Sequence, residues 1–156
     1  MDKIRKLVHE ILKQLEPEIP YSLEAENLIC GTIAQESAYG KYREQLGSGI
    51  AKGICQIEPA TFNDMIETYL KYRPAIWNKI IQISGVSDPQ SDDLINNDKL
   101  SICMCRVRYR RVKDPIPSDL FGWARFWKKH YNTHLGKGTE AEFIKNYHRY
   151  VKEDEN

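Results

Sequence analysis

The chain reads as mainly α-helical. Apolar residues recur at three-and-four spacing through most of its length, helix start and stop residues fall at the ends of those stretches, and runs with a period of two are almost absent. Residues 40–55 are the exception: Gly40, Gly47, Gly49 and Gly53 sit there with little periodicity, which reads as a loop or a small hairpin.

Taken in order, Ile4, Leu7, Val8, Ile11, Leu12 and Leu15 form one apolar face over residues 3–16, stopped by Pro17 and Pro20. Ser22 then reads as an N-cap, with Glu24 and Glu26 in a first turn where the helix dipole favours acids. Inward positions of this second helix are Ala25, Leu28, Ile29, Thr32, Ile33 and Glu36, and Gly40 is the expected terminator. Pro59 opens the next helix, where its missing N–H costs nothing, and Phe62, Met65, Ile66, Tyr69 and Leu70 mark the stripe. Pro74 and Gly85 bracket a short helix containing Ile76, Trp77, Ile80 and Ile81.

Beyond a loop rich in Ser, Asp and Pro, a long core helix is expected from about Asp92 to Val112, carrying Leu94, Ile95, Leu100, Cys103, Met104 and Val107. Ser118 is the expected cap of a helix through Phe121, Trp123, Ala124, Phe126 and Trp127. Thr139 and Glu142 form a capping box for the last helix, striped with Phe143, Tyr147, Tyr150 and Val151. No repeat, low-complexity tract or linker interrupts the pattern. Residues 1–156 therefore read as a single domain, with an N-terminal helix (1–20) on or before a core (22–151).

Composition narrows the function. With 156 residues, 41% of them hydrophobic, the chain can bury one core. Lys and Arg number 23 against 22 acids, so the net charge of +1 gives no field to hold a polyanion, and no nucleic-acid partner is expected. Arg106, Arg108, Arg110 and Arg111 spread around a helix and read as a solvated flank. No run of about 18 apolar residues offers a membrane span. The amphipathic start lacks the apolar stretch of a signal peptide, so none is expected.

Cys30, Cys55, Cys103 and Cys105 read as buried free thiols. The Cys103–Cys105 pair has no second pair at zinc spacing, and His130, His134 and His148 read as surface or packing residues. Gly136-Lys137-Gly138-Thr139 mimics part of a phosphate loop but lacks the upstream glycine and preceding strand. Neither metal nor cofactor is expected.

Glu36 carries the chemical signal. It falls one turn after Thr32 and Ile33, so it projects from the core-facing edge of its helix, where partial burial favours the protonated acid. A helix end nearby adds the negative pole of the dipole and pushes the same way. By position alone, Glu36 reads first as a helix-end residue bonded to a neighbour.

Glu36-Ser37, followed by Gly53-Ile54-Cys55-Gln56-Ile57-Glu58-Pro59-Ala60-Thr61, resembles the lytic transglycosylase family of the lysozyme-like superfamily. That family's pattern is Glu-Ser, then Gly-Leu-Met-Gln-Ile-x-Pro-x-Thr. His130-Tyr131-Asn132-Thr133 is similar to its Ala-Tyr-Asn-Ala-Gly segment, and the final helix with Tyr147 to its last motif. Cys55 stands where Met is usual, His130 replaces the Ala, and the Gly of the third motif is missing.

The resemblance implies a lysozyme-like helical domain that cleaves the β-1,4 bond between N-acetylmuramic acid and N-acetylglucosamine in peptidoglycan glycan strands. It implies Glu36 as the catalytic acid and then base, closing a 1,6-anhydro ring without a second carboxylate. It also implies substrate contacts from Ser37, Gln56, Tyr131 and Asn132, with Tyr147 holding Glu36. A hydrolytic muramidase would instead need a second acid, for which Glu44 is the candidate. A non-catalytic structural or wall-binding protein on the same fold is the rival of another class. Without a leader, a bacteriophage product is expected, acting as a monomer: an endolysin released by a holin from the host cytoplasm, or a virion component beside tail proteins.

Overall fold

A computed structural model describes residues 2–44, 50–132 and 136–151. Gly47, Gly49, Thr133 and His134, which figured in the expectations above, lie outside them. Among the described residues the protein is mainly α: α1 (Lys3–Gln14), α2 (Leu23–Ser37), α3 (Pro59–Thr68), α4 (Pro74–Ser84), α5 (Asp98–Arg110), α6 (Leu120–Trp127) and α7 (Glu140–Tyr150). A π-helical turn, Lys128–Asn132, continues α6. None of the described helices is long and apolar enough to cross a membrane.

The caps explain most boundaries. Ser22 Oγ accepts the Ala25 N–H at 3.1 Å and starts α2, and Thr139 Oγ1 accepts the Glu142 N–H at 3.1 Å and starts α7. Pro74 opens α4, and Gly85, left-handed at φ 76°, closes it.

Three expectations are corrected. Helix α2 ends at Ser37, before Gly40, because Ala38 (φ 50°) and Tyr39 (φ 61°) already turn left-handed. Those conformations are unfavourable for side chains with a Cβ, and tertiary contacts hold them. The Tyr39 hydroxyl donates to Asp2 Oδ1 at 2.8 Å, and its ring stacks on Tyr150 at 6.2 Å.

The helix expected over 92–112 is two pieces, a 3₁₀ turn (Ser91–Leu94) and then α5. Asn97 makes the break: its Oδ1 accepts the Leu100 N–H at 2.9 Å while its Nδ2 donates to Ser84 O at 3.0 Å. The cap of α6 is Asp119, one residue later than Ser118, accepting the Gly122 N–H at 2.8 Å.

Helix α2 is the centre of the bundle. It packs against α1, α5, α6 and α7, and its residues from Leu28 to Ala34 are buried on every side, as expected of a helix enclosed by others. Gly31 permits the closest approach: a Cβ there would lie 2.4 Å from the Phe143 ring of α7. Phe62, Met65, Met104, Trp127 and Phe143 complete the core. Each such side chain contributes about 1.5–3 kcal/mol on burial.

In the region around 40–55, the described residues 40–44 and 50–55 contain no helix or strand, only isolated bridges. Antiparallel bridges pair Glu44 with Lys52 and Lys52 with Ile57. Gly53 locks the region to the bundle: at φ 79°, its Cα comes so close to the chain before α5 that a Cβ would meet Leu94 O at 2.3 Å. Cys30, Cys55, Cys103 and Cys105 are buried and unbridged, as expected for free thiols.

Candidate active site

The final turn of α2 delivers Glu36 to the wall of an open cleft of about 550 Å³. Facing it are the 51–58 segment, the start of α3, Arg108 of α5, and the turn that carries Tyr131 and Asn132. Burial pushes the Glu36 carboxyl up to about 7; the Trp127 hydrogen bond and the Arg108 charge pull the other way but do not cancel it. The indole N–H of Trp127, at the end of α6, donates to Glu36 Oε2 at 3.0 Å. Trp127 is fully buried, its ring 5.4 Å from that of Phe143. The donor is therefore fixed by the core.

Arg108, whose charge acts on Glu36 through space, is anchored on the opposite wall. Its guanidinium covers the Tyr131 ring at 3.9 Å and donates to Tyr131 O at 2.7 Å. Tyr131 itself is buried, and its hydroxyl donates to Cys55 O at 2.6 Å. That bond ties the π-helical turn to the Gly53–Thr61 segment and commits the phenol hydroxyl within the fold. A π-helical turn at such a position re-aims successive side chains.

Two amides complete the polar lining. Gln56 adopts φ 50°, and its Nε2 donates to Gly53 O at 2.8 Å and to Arg43 O at 3.3 Å. Both amide hydrogens are spent on the loop, leaving the carbonyl oxygen to accept from a ligand. Asn132 is the complement: Lys128 Nζ donates to its Oδ1 at 2.6 Å, leaving its NH₂ as a donor.

Of the residues singled out in the sequence, the fold brings Glu36, Gln56, Tyr131 and Asn132 to one cleft. Three others stand elsewhere. Ser37 is buried; its hydroxyl lies 3.0 Å from Ile33 O and 2.7 Å from Ile54 O, and accepts the Gly40 N–H at 2.9 Å. It stitches the end of α2 to the next segment instead of reaching a substrate. Tyr147 is buried against Gly31 and Trp123, so the hydrogen bond seen on Glu36 comes from Trp127. Glu44 is exposed and lies outside the walls of the cleft.

Among the residues that line or hold the site, the sequence reading did not assign Glu58, Arg108 or Trp127 to it. A signal existed for each. Ile57 points into the core while Gln56 and Glu58 flank it, so Glu58 shares the side of Gln56. Arg108 falls about 200° around α5 from Arg106 and from Arg110 at 100° per residue. A buried indole requires an acceptor for its N–H.

Two of the four arginines, Arg106 and Arg108, depart from the solvated flank expected of them. Arg106 is buried and Arg108 half-buried, while Arg110 and Arg111 are exposed.

Comparison with protein-family models, curated proteins and solved structures returned no match. The chemistry is accordingly read from the cleft itself: an acid that holds its proton near neutrality, a cation beside it, and amide groups of both polarities around it.

Proposed function

We propose that the protein is a peptidoglycan-cleaving muramidase that acts as a lytic transglycosylase, with Glu36 as its single acid and base. One observation carries this reading: a carboxyl raised to about 7 by burial stands in the wall of an open cleft beside Gln56, Tyr131 and Asn132. A general acid works best with a pKa near the working pH.

The steps follow from that acid. Protonated Glu36 gives its proton to the oxygen linking N-acetylmuramic acid to N-acetylglucosamine, the C1–O bond breaks, and an oxocarbenium-like centre develops on the muramic sugar. The glucosamine leaves with its hydroxyl restored. Glu36, now a carboxylate, accepts the proton of the muramic 6-hydroxyl while O6 bonds to C1. No water enters, and the acid is regenerated.

Trp127 and Arg108 both favour the carboxylate, so they stabilise Glu36 in the half of the cycle where it is charged. The Gln56 carbonyl and the Asn132 NH₂ supply the acceptor and the donor that an acetamido group needs.

Hydrolysis is a second reading, favoured by Glu58, which lines the same cleft as Glu36 and replaces Glu44 as the acid to consider. An inverting hydrolase would set two carboxyls about 6.5–9.5 Å apart with a water between them.

Digestion of purified sacculi followed by mass spectrometry separates the readings. Transglycosylation yields muropeptides one water lighter than reducing ends. Reducing ends, together with inactivity of Glu58→Gln, would choose hydrolysis, and no release under any condition would leave a wall-binding or structural role.

A further inference from the structure

Arg106 of α5 takes no part in the cleft. Its residue is only 6% exposed, and no hydrogen bond or ion pair from a described residue reaches its guanidinium. A second buried arginine in the same bundle shows how a structural guanidinium is treated. Arg5, 3% exposed, donates to Glu26 at 2.7 Å and to Asn27 at 2.9 Å. Arg106 has no such partners among the described residues, and its guanidinium is not sealed from solvent but opens onto a pocket.

Arg106 forms part of the wall of a second pocket, about 410 Å³, between the α1–α2 junction, the C-terminal half of α5 and the segment before α6. Arg110, one turn further along α5, lines the same pocket. Arg108 points to the opposite side of α5, into the cleft, so the two pockets share the helix back to back. Burial and the charge of Arg110 draw Arg106 down to about 10, which still leaves it a cation at neutral pH.

The pocket's acids, Glu24 and Asp114, make no ion pair with the two arginines. Asp114 lies 3.4 Å from His130 Nε2 and 3.9 Å from Lys129 Nζ. The rest of the wall is mixed: the Ser22 hydroxyl beside the apolar surfaces of Tyr21, Pro115 and Ile116.

We propose that this pocket is an anion-binding site in which Arg106 and Arg110 grip a carboxylate or phosphate group of a small ligand whose apolar body lies against Pro115 and Ile116. Guanidinium forks suit both oxyanions and bind them through paired N–H donors. The Arg106–Arg110 spacing on one helix face presents two forks to a single group.

The test is thermal unfolding of the full chain at constant ionic strength, with inorganic phosphate in one arm and N-acetylleucine in the other, and chloride as reference. A ligand that binds only the folded state raises the midpoint, by roughly 3 °C or more once it is well above its dissociation constant. The expected result is such a rise in the wild type and in Glu36→Gln, its loss in Arg106→Met, and at least a halving in Arg110→Gln. A response to phosphate alone assigns the site to phosphate, and one to N-acetylleucine alone assigns it to a carboxylate. Arg106→Met keeps the stem that packs in the wall, and exposed Arg110 gives an independent variant should Arg106→Met not fold. No rise in the wild type with either anion, or an undiminished rise in both arginine variants, overturns the site.

Discussion

Glu26 and Glu36 occupy the two ends of the same helix, and their surroundings could hardly differ more. Around Glu26, in the first turn of α2, Arg5 approaches to 2.7 Å, His9 to 2.6 Å and the Tyr21 hydroxyl to 2.9 Å. Both oxygens are met, and the N-terminal end of the helix favours the negative charge. Around Glu36, in the last turn, one indole N–H is in contact, Arg108 acts from across the cleft, and the helix end disfavours an anion. Glu26 is a charge built into the fold. Glu36 is a charge the fold resists, and a group that resists ionisation in an open cleft is one that can hand over a proton.

The comparison can be broken most sharply at its C-terminal member. Glu36→Gln keeps the shape and removes the proton, so turnover on sacculi is expected to fall by about 10²–10⁴ with the folded state intact. Muropeptide release at the wild-type rate would break the contrast.

At the N-terminal member the expected effect is on folding. Glu26→Ala strands Arg5 in the core and is expected to cost about 3–5 kcal/mol in urea unfolding, with turnover per folded molecule unchanged. A loss below about 1 kcal/mol would mean that the ion pair is not what holds α1 to α2.

Stability against pH sharpens the same point. The Glu36 pKa is raised in the folded state from 4.5 to about 7, so its contribution is fully present below the unfolded value and is lost as pH rises through the folded one. Up to about 3 kcal/mol should therefore disappear across that window in the wild type and not in Glu36→Gln. Equal slopes for the two proteins would contradict the raised acid.

Smaller effects follow at the neighbours. Ser37→Ala is expected to cost about 1–3 kcal/mol through the orphaned Gly40 N–H and Ile54 O, without raising KM. An unchanged stability with a raised KM would return Ser37 to the substrate. Trp127→Phe deletes the donor that favours the carboxylate, so the alkaline limb of the pH–rate profile should move up by roughly one unit.

Several helices were legible because they carry both a stripe and a start or stop residue in their own sequence: Ser22, Thr139, and the Pro74 and Gly85 pair acted where local chemistry predicts. Two ends were misread where a tertiary contact overrode the local signal. Tyr39 is held left-handed by Asp2 and Tyr150, and Asn97 breaks α5 by reaching back to Ser84.

The site divides in the same way. Glu36 could be placed from helical phase, and Gln56, Tyr131 and Asn132 from motif order. The partners of Ser37, Tyr147 and Trp127 depend on which helices meet, which no local pattern encodes. Trp127 and Tyr147 lie on neighbouring helices of the same core, and packing decided which of them reached Glu36.

The account stands on the proton held by Glu36. A ¹³C NMR titration of the glutamate side-chain carboxyls, with Glu36→Gln to assign the resonance, measures it directly. The account predicts one carboxyl with a midpoint near 7 that is missing from the variant; a Glu36 resonance that titrates near 4.5 would contradict it.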